Sequence, residues 1–291
     1  MNSESLYTQD TVYRPPLEKD SMLLEVSRGC SYRRCLFCDF ARDEYDVLPL
    51  EHIRSNAEKL GQQDPLNPTL FLLGQNVMHL PTPMLLSIMD YVHEFMPHVN
   101  EINAYARVDD ILKKGEEDLL RLAAAGLHTL HVGLESGSDE VLNLMQKGVS
   151  AQETLRALHM LSSVGLHYNV TYILGLGGRS LWREHVAGTA ELLSQLIPIS
   201  IWALALKIWP QTPLAALEQQ GAFAPLSYAE MLMEERLIIE GLNMPQLCLY
   251  MDTTVLGTHT VAGVLPDGKE SILRSIDGFL TGQDLGQFLY E

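Results

Sequence analysis

The sequence predicts an α/β protein, built as a partial (β/α)6 TIM-type barrel with a C-terminal cap segment. Short apolar runs alternate with helix-like segments, which is the pattern of parallel β/α units. The strand-like runs are nearly continuous in apolar residues, as expected for strands buried on both faces. With 291 residues, 46% of them hydrophobic, the chain can also bury a large core. A doubly wound open sheet is the alternative that this alternation leaves open.

These runs predict six strands and five helices. The predicted strands are residues 21–27, 69–75, 101–108, 128–136, 167–178 and 199–209. The predicted helices are residues 50–63, 82–97, 109–126, 138–165 and 182–196. This order predicts an N-terminal extension over residues 1–20, a barrel over 21–210, and a helical or irregular cap over 211–291. The Thr, Asp and His content of the cap, including His259, could reach a substrate.

Polar residues recur at every second position inside the apolar strands, so they are expected to point into the barrel lumen. They are Glu25, Ser27, Asn103, Tyr105, Arg107, His131, Glu135, Asn169, Thr171 and Lys207. A polar lumen indicates a ligand site at the C-terminal ends of the strands. Arg107, Glu135 and Lys207 lie closest to those ends. For any one of these residues, the alternative is a hydrogen-bonded core residue.

The charge balance predicts the kind of partner. The formal net charge is −17 and the pI is about 4.9, which disfavours contact with a phosphate backbone. The start of the chain lacks the apolar core of a signal peptide. The longest apolar stretch, residues 197–209, is too short to span a membrane and contains Lys207. We therefore expect a soluble, cytoplasmic protein with a small-molecule substrate, no nucleic acid partner and no membrane partner.

Three of the four cysteines form a C-x4-C-x2-C motif after the first strand, namely Cys30, Cys35 and Cys38. A structural zinc site usually takes its remaining ligands from a second local pair, which is absent here. A ferredoxin-like cluster would need Cys248, whose apolar surroundings are typical of an inert buried thiol. The remaining option is a [4Fe–4S] cluster with three thiolate ligands and one open iron.

The motif, with Phe37 directly before its last cysteine, resembles that of the radical S-adenosylmethionine (SAM) superfamily. The usual spacing there is C-x3-C-x2-C, and the extra residue is similar to that of a subgroup of short radical SAM proteins. The resemblance covers nearly the whole chain. It includes the stretches "YRPP", "EVSRGCSYRRCLFC", "VGLESGSDEVLNLMQKG", "YILGLGG" and "EHVAGTAELL".

The resemblance implies a chemistry but no substrate. Cys30, Cys35 and Cys38 would hold a [4Fe–4S] cluster whose fourth iron chelates SAM. Reduction by an electron donor such as flavodoxin or ferredoxin would cleave SAM to methionine and a 5′-deoxyadenosyl radical, which abstracts hydrogen from the substrate. The alternatives are an enzyme that modifies tRNA or another macromolecule, and a ferredoxin-like electron carrier with Cys248 as fourth ligand.

Several positions match SAM-binding positions of the family. Phe37 matches a residue near the adenine, and Gly175 lies in a glycine stretch that lets the backbone approach it. After the second strand, the residues that match a stretch binding the SAM ammonium through backbone carbonyls are Gly74, Gln75 and Asn76. His185 is expected on a helix surface, and no catalytic residue is assigned.

The remaining expected cofactor contacts come from the strands. Glu135 matches an acid that binds the ribose hydroxyls, and Ser136 is its neighbour. Arg107 is expected to bind the SAM carboxylate through its guanidinium, and Lys207 is the second choice. Asn169 is expected to join them as a lumen-facing residue.

Overall fold

The computed structural model describes residues 6–8, 12–39, 44–253 and 260–281. Its strands are β1 (Met22–Glu25), β2 (Ser27–Arg28), β3 (Asp46–Val47), β4 (Thr69–Leu73), β5 (Glu101–Ala106), β6 (Leu127–Glu135), β7 (His167–Leu174), β8 (Ser200–Ala205), β9 (Cys248–Thr253) and β10 (Thr260–Leu265). Its α-helices are α1 (Leu50–Gln63), α2 (Thr82–Phe95), α3 (Val108–Ala124), α4 (Asp139–Leu144), α5 (Ala151–Ser163), α6 (Gly178–Leu193), α7 (Pro213–Gln219), α8 (Tyr228–Gly241) and α9 (Lys269–Leu280). None of these helices is long and apolar enough to cross a membrane, within the residues that the structure describes.

The main sheet is mostly parallel, as the alternation of elements predicted. Its eight strands follow the order β1-β4-β5-β6-β7-β8-β9-β10, and a separate small sheet pairs β2 with β3. β1, β4 and β5 pair in parallel in succession, as do β7, β8 and β9. At the end of the order, β10 runs antiparallel against β9. β1 and β10 end the order, so the described strands do not close a barrel.

The C-terminal region differs from the prediction of a helical or irregular cap, because β9 and β10 continue the sheet. Their short, polar-containing sequences gave too weak an alternation to predict strands, and pairing with β8 supplies the missing hydrogen bonds. The predicted helix 138–165 is two helices, interrupted where Gln146 and Gly148 have positive φ. The proposed boundaries at residues 20 and 210 stay a prediction, and His259 lies outside the described residues.

The chain forms two compact units. Unit 1 comprises residues 1–33, 40–132 and 160–168, and unit 2 comprises 34–39, 133–159 and 169–291. In unit 1, α1 packs closely on α2, since a Cβ at Gly61 would lie only 2.1 Å from the Phe95 carbonyl oxygen. In unit 2, a buried apolar cluster is formed by Val141, Met145, Ile173, Leu176, Leu206, Leu214 and Phe223.

A buried carboxylate organises the polar interior of unit 1. Residues Pro16–Glu18 form a single 3-10 turn, for which proline presets the backbone. The turn buries Glu18, which accepts hydrogen bonds from Ser21 Oγ at 2.6 Å and Asn103 Nδ2 at 3.1 Å and lies 2.7 Å from His131 Nε2. Asn103 and His131, which were expected to face a ligand, therefore bind a carboxylate of their own chain.

Replacing Glu18 by alanine should lower the free energy of unfolding by about 2–4 kcal/mol, because Asn103 and His131 would lose a buried partner. Burial acts to raise the pKa of Glu18, but the hydrogen bonds from His131, Ser21 and Asn103 outweigh it and lower the pKa. The stabilisation is therefore present at neutral pH and lost as the pH falls through that lowered pKa. Urea unfolding of Glu18→Ala beside Glu51→Ala, an exposed control, measures the effect. Equal loss in both variants would contradict it.

Candidate active site

The first part of the cysteine loop is held by unit 1. Gly29 has a positive φ of 65° and leads directly into Cys30, which is partly exposed. Ser31 Oγ accepts a hydrogen bond from Asn76 Nδ2 at 2.8 Å. The Arg107 guanidinium stacks on the Tyr32 ring, with Cζ 3.9 Å from the ring centroid. Residues after β4 and β5 thus fix the chain on the C-terminal side of Cys30.

The second part of the loop is held by unit 2. Leu36 N donates to the Met145 carbonyl at 3.0 Å, and the Leu36 carbonyl accepts from Leu214 N at 3.1 Å. Cys38 N donates to the Cys35 carbonyl at 3.4 Å, which makes a turn between these two cysteines. Phe37 is partly buried and packs against the apolar cluster of unit 2. It therefore has a packing role, and its predicted position near an adenine stays a prediction.

The cysteine side chains of the loop are of the chemical type that binds an iron–sulfur cluster. None of the four cysteines, all of which the structure describes, forms a disulfide; Cys35 is buried, and Cys30 and Cys38 are partly exposed. Within the described part of the chain, no group of three or more His, Cys, Asp or Glu side chains is arranged to hold a metal ion. The donor set itself fits, because thiolates are the ligands of [4Fe–4S] clusters and the motif supplies three of them.

Buried polar atoms beside this loop fit a polar cofactor. Ser27 Oγ, Arg28 Nε and Gln75 Oε1 are buried and have no hydrogen-bond partner among the described residues. Gly74 lies against Ser27, since a Cβ on Gly74 would come within 2.3 Å of Ser27 Oγ. Unpaired buried polar groups are costly and require an explanation. The amino, carboxylate and hydroxyl groups of SAM are of the kind that would pair with them.

Asn76 is buried, and its side chain is held by three hydrogen bonds. Its side chain donates to Asp110 Oδ2 at 2.6 Å as well as to Ser31, and its Oδ1 accepts from Arg107 N at 3.1 Å. With donors and acceptor all engaged inside unit 1, the Asn76 side chain holds the loop around Cys30. Sequence reasoning missed Asp110, which lies early in α3 and gave no signal beyond its acidic type.

Two side chains expected to bind the SAM carboxylate already have partners. Arg107 Nε donates to Asp109 Oδ1 at 2.9 Å, in addition to stacking on Tyr32. Lys207 lies beyond the end of β8, with its Nζ 3.7 Å from the centroid of the Trp209 ring. Both cations are thus stabilised by their own chain, and their predicted role stays a prediction.

Asn169 lies near the amino end of β7, where its Oδ1 accepts from Ser200 Oγ at 2.7 Å. The structure therefore does not bring Asn169 to the carboxyl end of its strand. Alternation along a strand identifies the face on which a residue lies, but it does not give its height along the strand. The position of Asn169 early in its predicted strand, residues 167–178, already indicated that it lies far from the carboxyl end.

Glu135 ends β6 in unit 2 and is buried. Its Oε1 accepts from Lys147 Nζ at 2.7 Å, whereas among the described residues Oε2 has one long contact, 3.5 Å, with Thr171 Oγ1. Lys147 is also buried, so the pair is held away from water. Sequence reasoning did not select Lys147, although it lies within the family-like stretch that begins at Val132. One oxygen of Glu135 is thus fixed and the other is available to a donor.

His185 is buried, so the prediction of a surface histidine is wrong. Its side chain is inaccessible in α6, and its Nδ1 lies 2.8 Å from Ser136 Oγ. Burial lowers the pKa of His185 to about 4, with an interaction at the Ile173 carbonyl acting in the opposite direction. Polar residues next to His185 in α6 suggested a solvent-exposed position, whereas His185 lies on the face of the helix that packs inward.

Gly175 follows β7 directly and has a positive φ of 79°, which favours glycine. Its N–H donates to the side chain of Glu234 on α8. Glu234 is fully buried, and burial raises its pKa to about 8, while the Gly175 N–H acts to lower it. Sequence reasoning missed Glu234, because acidic residues in an amphipathic helix are usually solvated.

A second buried acid lies beside it. Glu235 Oε1 accepts from the Tyr250 hydroxyl at 2.6 Å, and that hydroxyl is 2.9 Å from the Tyr172 hydroxyl. Burial, followed by the nearby Asp252 carboxylate, raises the pKa of Glu235 to about 8, while the Tyr250 hydrogen bond acts to lower it. Glu235 is therefore expected to be protonated in the folded protein at neutral pH.

Replacing Glu235 by glutamine should stabilise the protein at pH 8 and have little effect at pH 5. In the unfolded chain this carboxyl ionises near its ordinary pKa of 4.5, so the wild type loses stability as the pH rises from there to about 8. Glutamine keeps an acceptor for Tyr250 and does not ionise, which makes the gain up to about 4 kcal/mol at pH 8. Urea unfolding at both pH values measures it, with exposed Glu184→Gln as control. A gain that is the same at both pH values would contradict the assignment.

A mostly parallel α/β sheet whose first strand leads into a three-cysteine loop is the arrangement that the resemblance to iron–sulfur enzymes using SAM implies. The sequence profile of the radical SAM superfamily matches residues 24–193, more than half of the chain. The chain belongs to the radical SAM superfamily. It is therefore an enzyme whose cofactors are a [4Fe–4S] cluster and SAM.

Known proteins similar to this chain support the fold. The 4'-phospho-dehydrooxetanocin synthase of Priestia megaterium is 24% identical over 174 residues, 54% of this chain and 23% of that protein. The tRNA-2-methylthio-N(6)-dimethylallyladenosine synthase of Pseudoalteromonas atlantica is 23% identical over 262 residues, 85% of this chain and 53% of that protein. Coproporphyrinogen III oxidase (HemN) of Escherichia coli superposes with a TM-score of 0.55 at 18% identity, covering 76% of this chain and 50% of that chain. The predicted partial barrel is confirmed, and the chain spans about half or less of these proteins.

The predicted small-molecule substrate and the predicted absence of a nucleic acid partner are contradicted by these relatives. The similar proteins include tRNA-2-methylthio-N(6)-dimethylallyladenosine synthases of Alkalilimnicola ehrlichii and Pseudoalteromonas atlantica. The prediction rested on a net charge of −17, which is a sum over the whole chain. Such a sum does not describe the charge of one local surface. Net charge is therefore no guide to the substrate of this protein.

Proposed function

We propose that Cys30, Cys35 and Cys38 hold the [4Fe–4S] cluster, as in the subgroup whose motif is C-x4-C-x2-C. These three thiolates would hold the cluster, which would supply one electron, taken from an external donor, for the reductive cleavage of SAM. The observation that carries the proposal is a short loop with three cysteines outside any disulfide, anchored by backbone and side-chain hydrogen bonds.

The chain's own residues would bind and orient SAM. Glu135 offers Oε2 to a ribose hydroxyl while Lys147 fixes the other carboxylate oxygen, so the acceptor is held in one orientation. Gly175 would present its backbone to the adenine, and its positive φ of 79° favours glycine. The side on which a Cβ would lie is filled by Met231, whose sulfur would be 3.0 Å from that Cβ. Gln75 offers a buried acceptor, Oε1, to the SAM ammonium. Its neutral amide can accept that hydrogen bond, although it lacks the charge of the acid usual in the family.

A cleavage assay tests the proposal. The anaerobically reconstituted protein, reduced with dithionite and given SAM, should produce equal amounts of 5′-deoxyadenosine and methionine, measured by liquid chromatography and mass spectrometry. Protein without iron should produce neither. A protein that carries about four irons per chain and binds SAM but releases no 5′-deoxyadenosine would overturn the proposal.

The relatives favour tRNA as a second candidate, namely as the substrate from which hydrogen is abstracted. Because several similar proteins are tRNA-modifying synthases, tRNA is the first macromolecule to test. Incubation of the reduced enzyme and SAM with unmodified tRNA should yield a new nucleoside after nuclease digestion. Formation of 5′-deoxyadenosine without any new nucleoside, and without salt-sensitive binding of tRNA, would exclude it.

A further inference from the structure

The loop after β6 is clamped by one face of α6. Ser136 Oγ lies 2.8 Å from His185 Nδ1, and Gly137 N donates to Thr189 Oγ1 at 3.0 Å. A Cβ on Gly137 would come within 2.1 Å of the Gly188 carbonyl oxygen. His185, Gly188 and Thr189 are spaced three and four residues apart, so they share a face of the helix. Two stretches that resemble the family, around residues 136 and 185, therefore bind each other.

This loop holds a strained turn at Glu135. Glu135 has a positive φ of 64°, and Ser136 N donates to the Leu134 carbonyl at 2.8 Å across it. A three-residue turn with positive φ is rare and costs energy for any residue other than glycine. Such a backbone persists only where neighbouring contacts fix it. The contacts of Ser136 and Gly137 with α6 are the contacts that flank it.

The far side of His185 leads to the end of β7. His185 Nε2 lies 3.9 Å from Glu234 Oε2, and Glu234 accepts from Gly175 N. His185 Nε2 and Glu234 Oε1 are buried without a hydrogen-bond partner among the described residues, and the 3.9 Å between Nε2 and Glu234 Oε2 is a close approach rather than a hydrogen bond. A buried series of side chains thus runs from the residue after Glu135 to Gly175.

The burial and the protonation states of His185 and Glu234 are compatible with a role in positioning the backbone. His185 and Glu234 are both fully inaccessible to solvent. Burial lowers the pKa of His185 to about 4 and raises the pKa of Glu234 to about 8, so both are neutral at pH 7. A neutral ring can accept from Ser136 Oγ, which itself accepts from Ser138 N at 3.0 Å. Apolar residues would fill the same space, but only polar groups impose these directions.

We propose that His185 and Glu234 are positioning residues, which fix the backbone at the ends of β6 and β7 so that Glu135 and Gly175 can bind SAM. The proposal rests on the proposed function, because it takes those two residues as SAM contacts. His185 acts through Ser136, and Glu234 acts through the Gly175 N–H. Neither side chain touches the cofactor.

Four variants test this proposal, and SAM affinity is measured by calorimetry on the reconstituted protein. His185→Leu and Glu234→Ala should weaken SAM binding roughly tenfold, the loss expected for about one directional hydrogen bond. Glu234→Gln should remain within about twofold of the wild type, since its amide oxygen still accepts from Gly175 N. The matched control is His159→Ala, an exposed histidine bonded only to the Gln195 carbonyl among the described contacts. It should bind SAM normally.

Two further measurements separate positioning from simple destabilisation. Iron content should stay at the wild-type value in every variant. In His185→Leu, amide hydrogen exchange of the apoprotein should become faster in peptides that contain residues 134–138 and 173–176. Exchange in all other peptides should stay at the wild-type rate. If His185→Leu does not fold, Thr189→Val carries the test, because it preserves the side-chain volume while removing the acceptor of Gly137 N and a long contact, 3.5 Å, with His185 Nδ1. It should also weaken SAM binding.

The outcomes distinguish the two proposals. Wild-type SAM affinity in folded His185→Leu or Thr189→Val, together with wild-type affinity in Glu234→Ala, would overturn the positioning role. Equal losses in Glu234→Gln and Glu234→Ala would also overturn it, because the acceptor would then not be the relevant feature. Failure of the wild-type protein to take up a cluster or to bind SAM would instead overturn the proposed function.

Discussion

Replacing any one of Cys30, Cys35 and Cys38 by alanine is expected to abolish the iron–sulfur cluster. Each thiolate would hold one iron, and the loop offers no other sulfur ligand between residues 30 and 38. The reconstituted wild type should carry about four irons per chain and be brown, whereas each variant should be nearly colourless. Iron analysis and absorbance spectra of all three variants measure this loss.

Cys248→Ala is the matched control and should retain the cluster. Cys248 is buried in β9, and burial raises the pKa of its thiol to about 12 while a backbone hydrogen bond at Ile201 acts to lower it. A thiol with so high a pKa is protonated at neutral pH and is a poor metal ligand. Loss of the cluster in Cys248→Ala would instead support the alternative of a ferredoxin-like electron carrier, in which Cys248 is the fourth cluster ligand.

Removing the Glu135 carboxylate should weaken SAM binding by about 10- to 100-fold, or roughly 1.5–3 kcal/mol. That is the magnitude for losing an ionised acceptor of a ribose hydroxyl. Glu135→Gln keeps the shape and one acceptor oxygen, so its loss should be smaller than that of Glu135→Ala. Calorimetric titration of SAM into the reconstituted variants measures both, and the iron content should stay unchanged.

Glu135→Ala needs a control, because it removes the carboxylate that pairs with the buried Lys147 ammonium as well as the proposed ribose acceptor. Lys147→Met removes that ammonium while Glu135 remains. Exposed Glu191→Ala, on α6, controls for loss of a surface acid. If Glu135→Ala binds SAM as tightly as Glu191→Ala, Glu135 does not contact the ribose. If Lys147→Met alone reproduces the whole loss, the carboxylate acts only through its pairing with Lys147.

Much of the fold could be predicted, because the signals are local. The helix over residues 50–63 was predicted with the same bounds as α1, and all six predicted strands overlap strands of the sheet. Apolar periodicity reports which elements form, since each element must bury one face or both. The strands β9 and β10 were missed because their stability comes from pairing with β8 and with each other.

The partners of buried polar groups could not be predicted. Glu18 and His131 are separated by 113 residues in the chain, and Gly175 and Glu234 by 59. A pattern along the sequence shows that Asn103 and His131 face inward, but it does not show what they meet there. The burial of His185 was missed for the same reason, since its partners Ser136 and Glu234 are distant in sequence.

The sequence by itself determined the order of the β/α units and placed three cysteines in one short loop, because periodicity and cysteine spacing are properties of short stretches. The tertiary structure alone decided which acids and histidines are buried, that Lys147 holds Glu135, and that α6 clamps the turn beside it. Burial and hydrogen bonding depend on distances through space. Those distances arise only when elements far apart in the chain pack together, and they set the pKa and the orientation of each side chain.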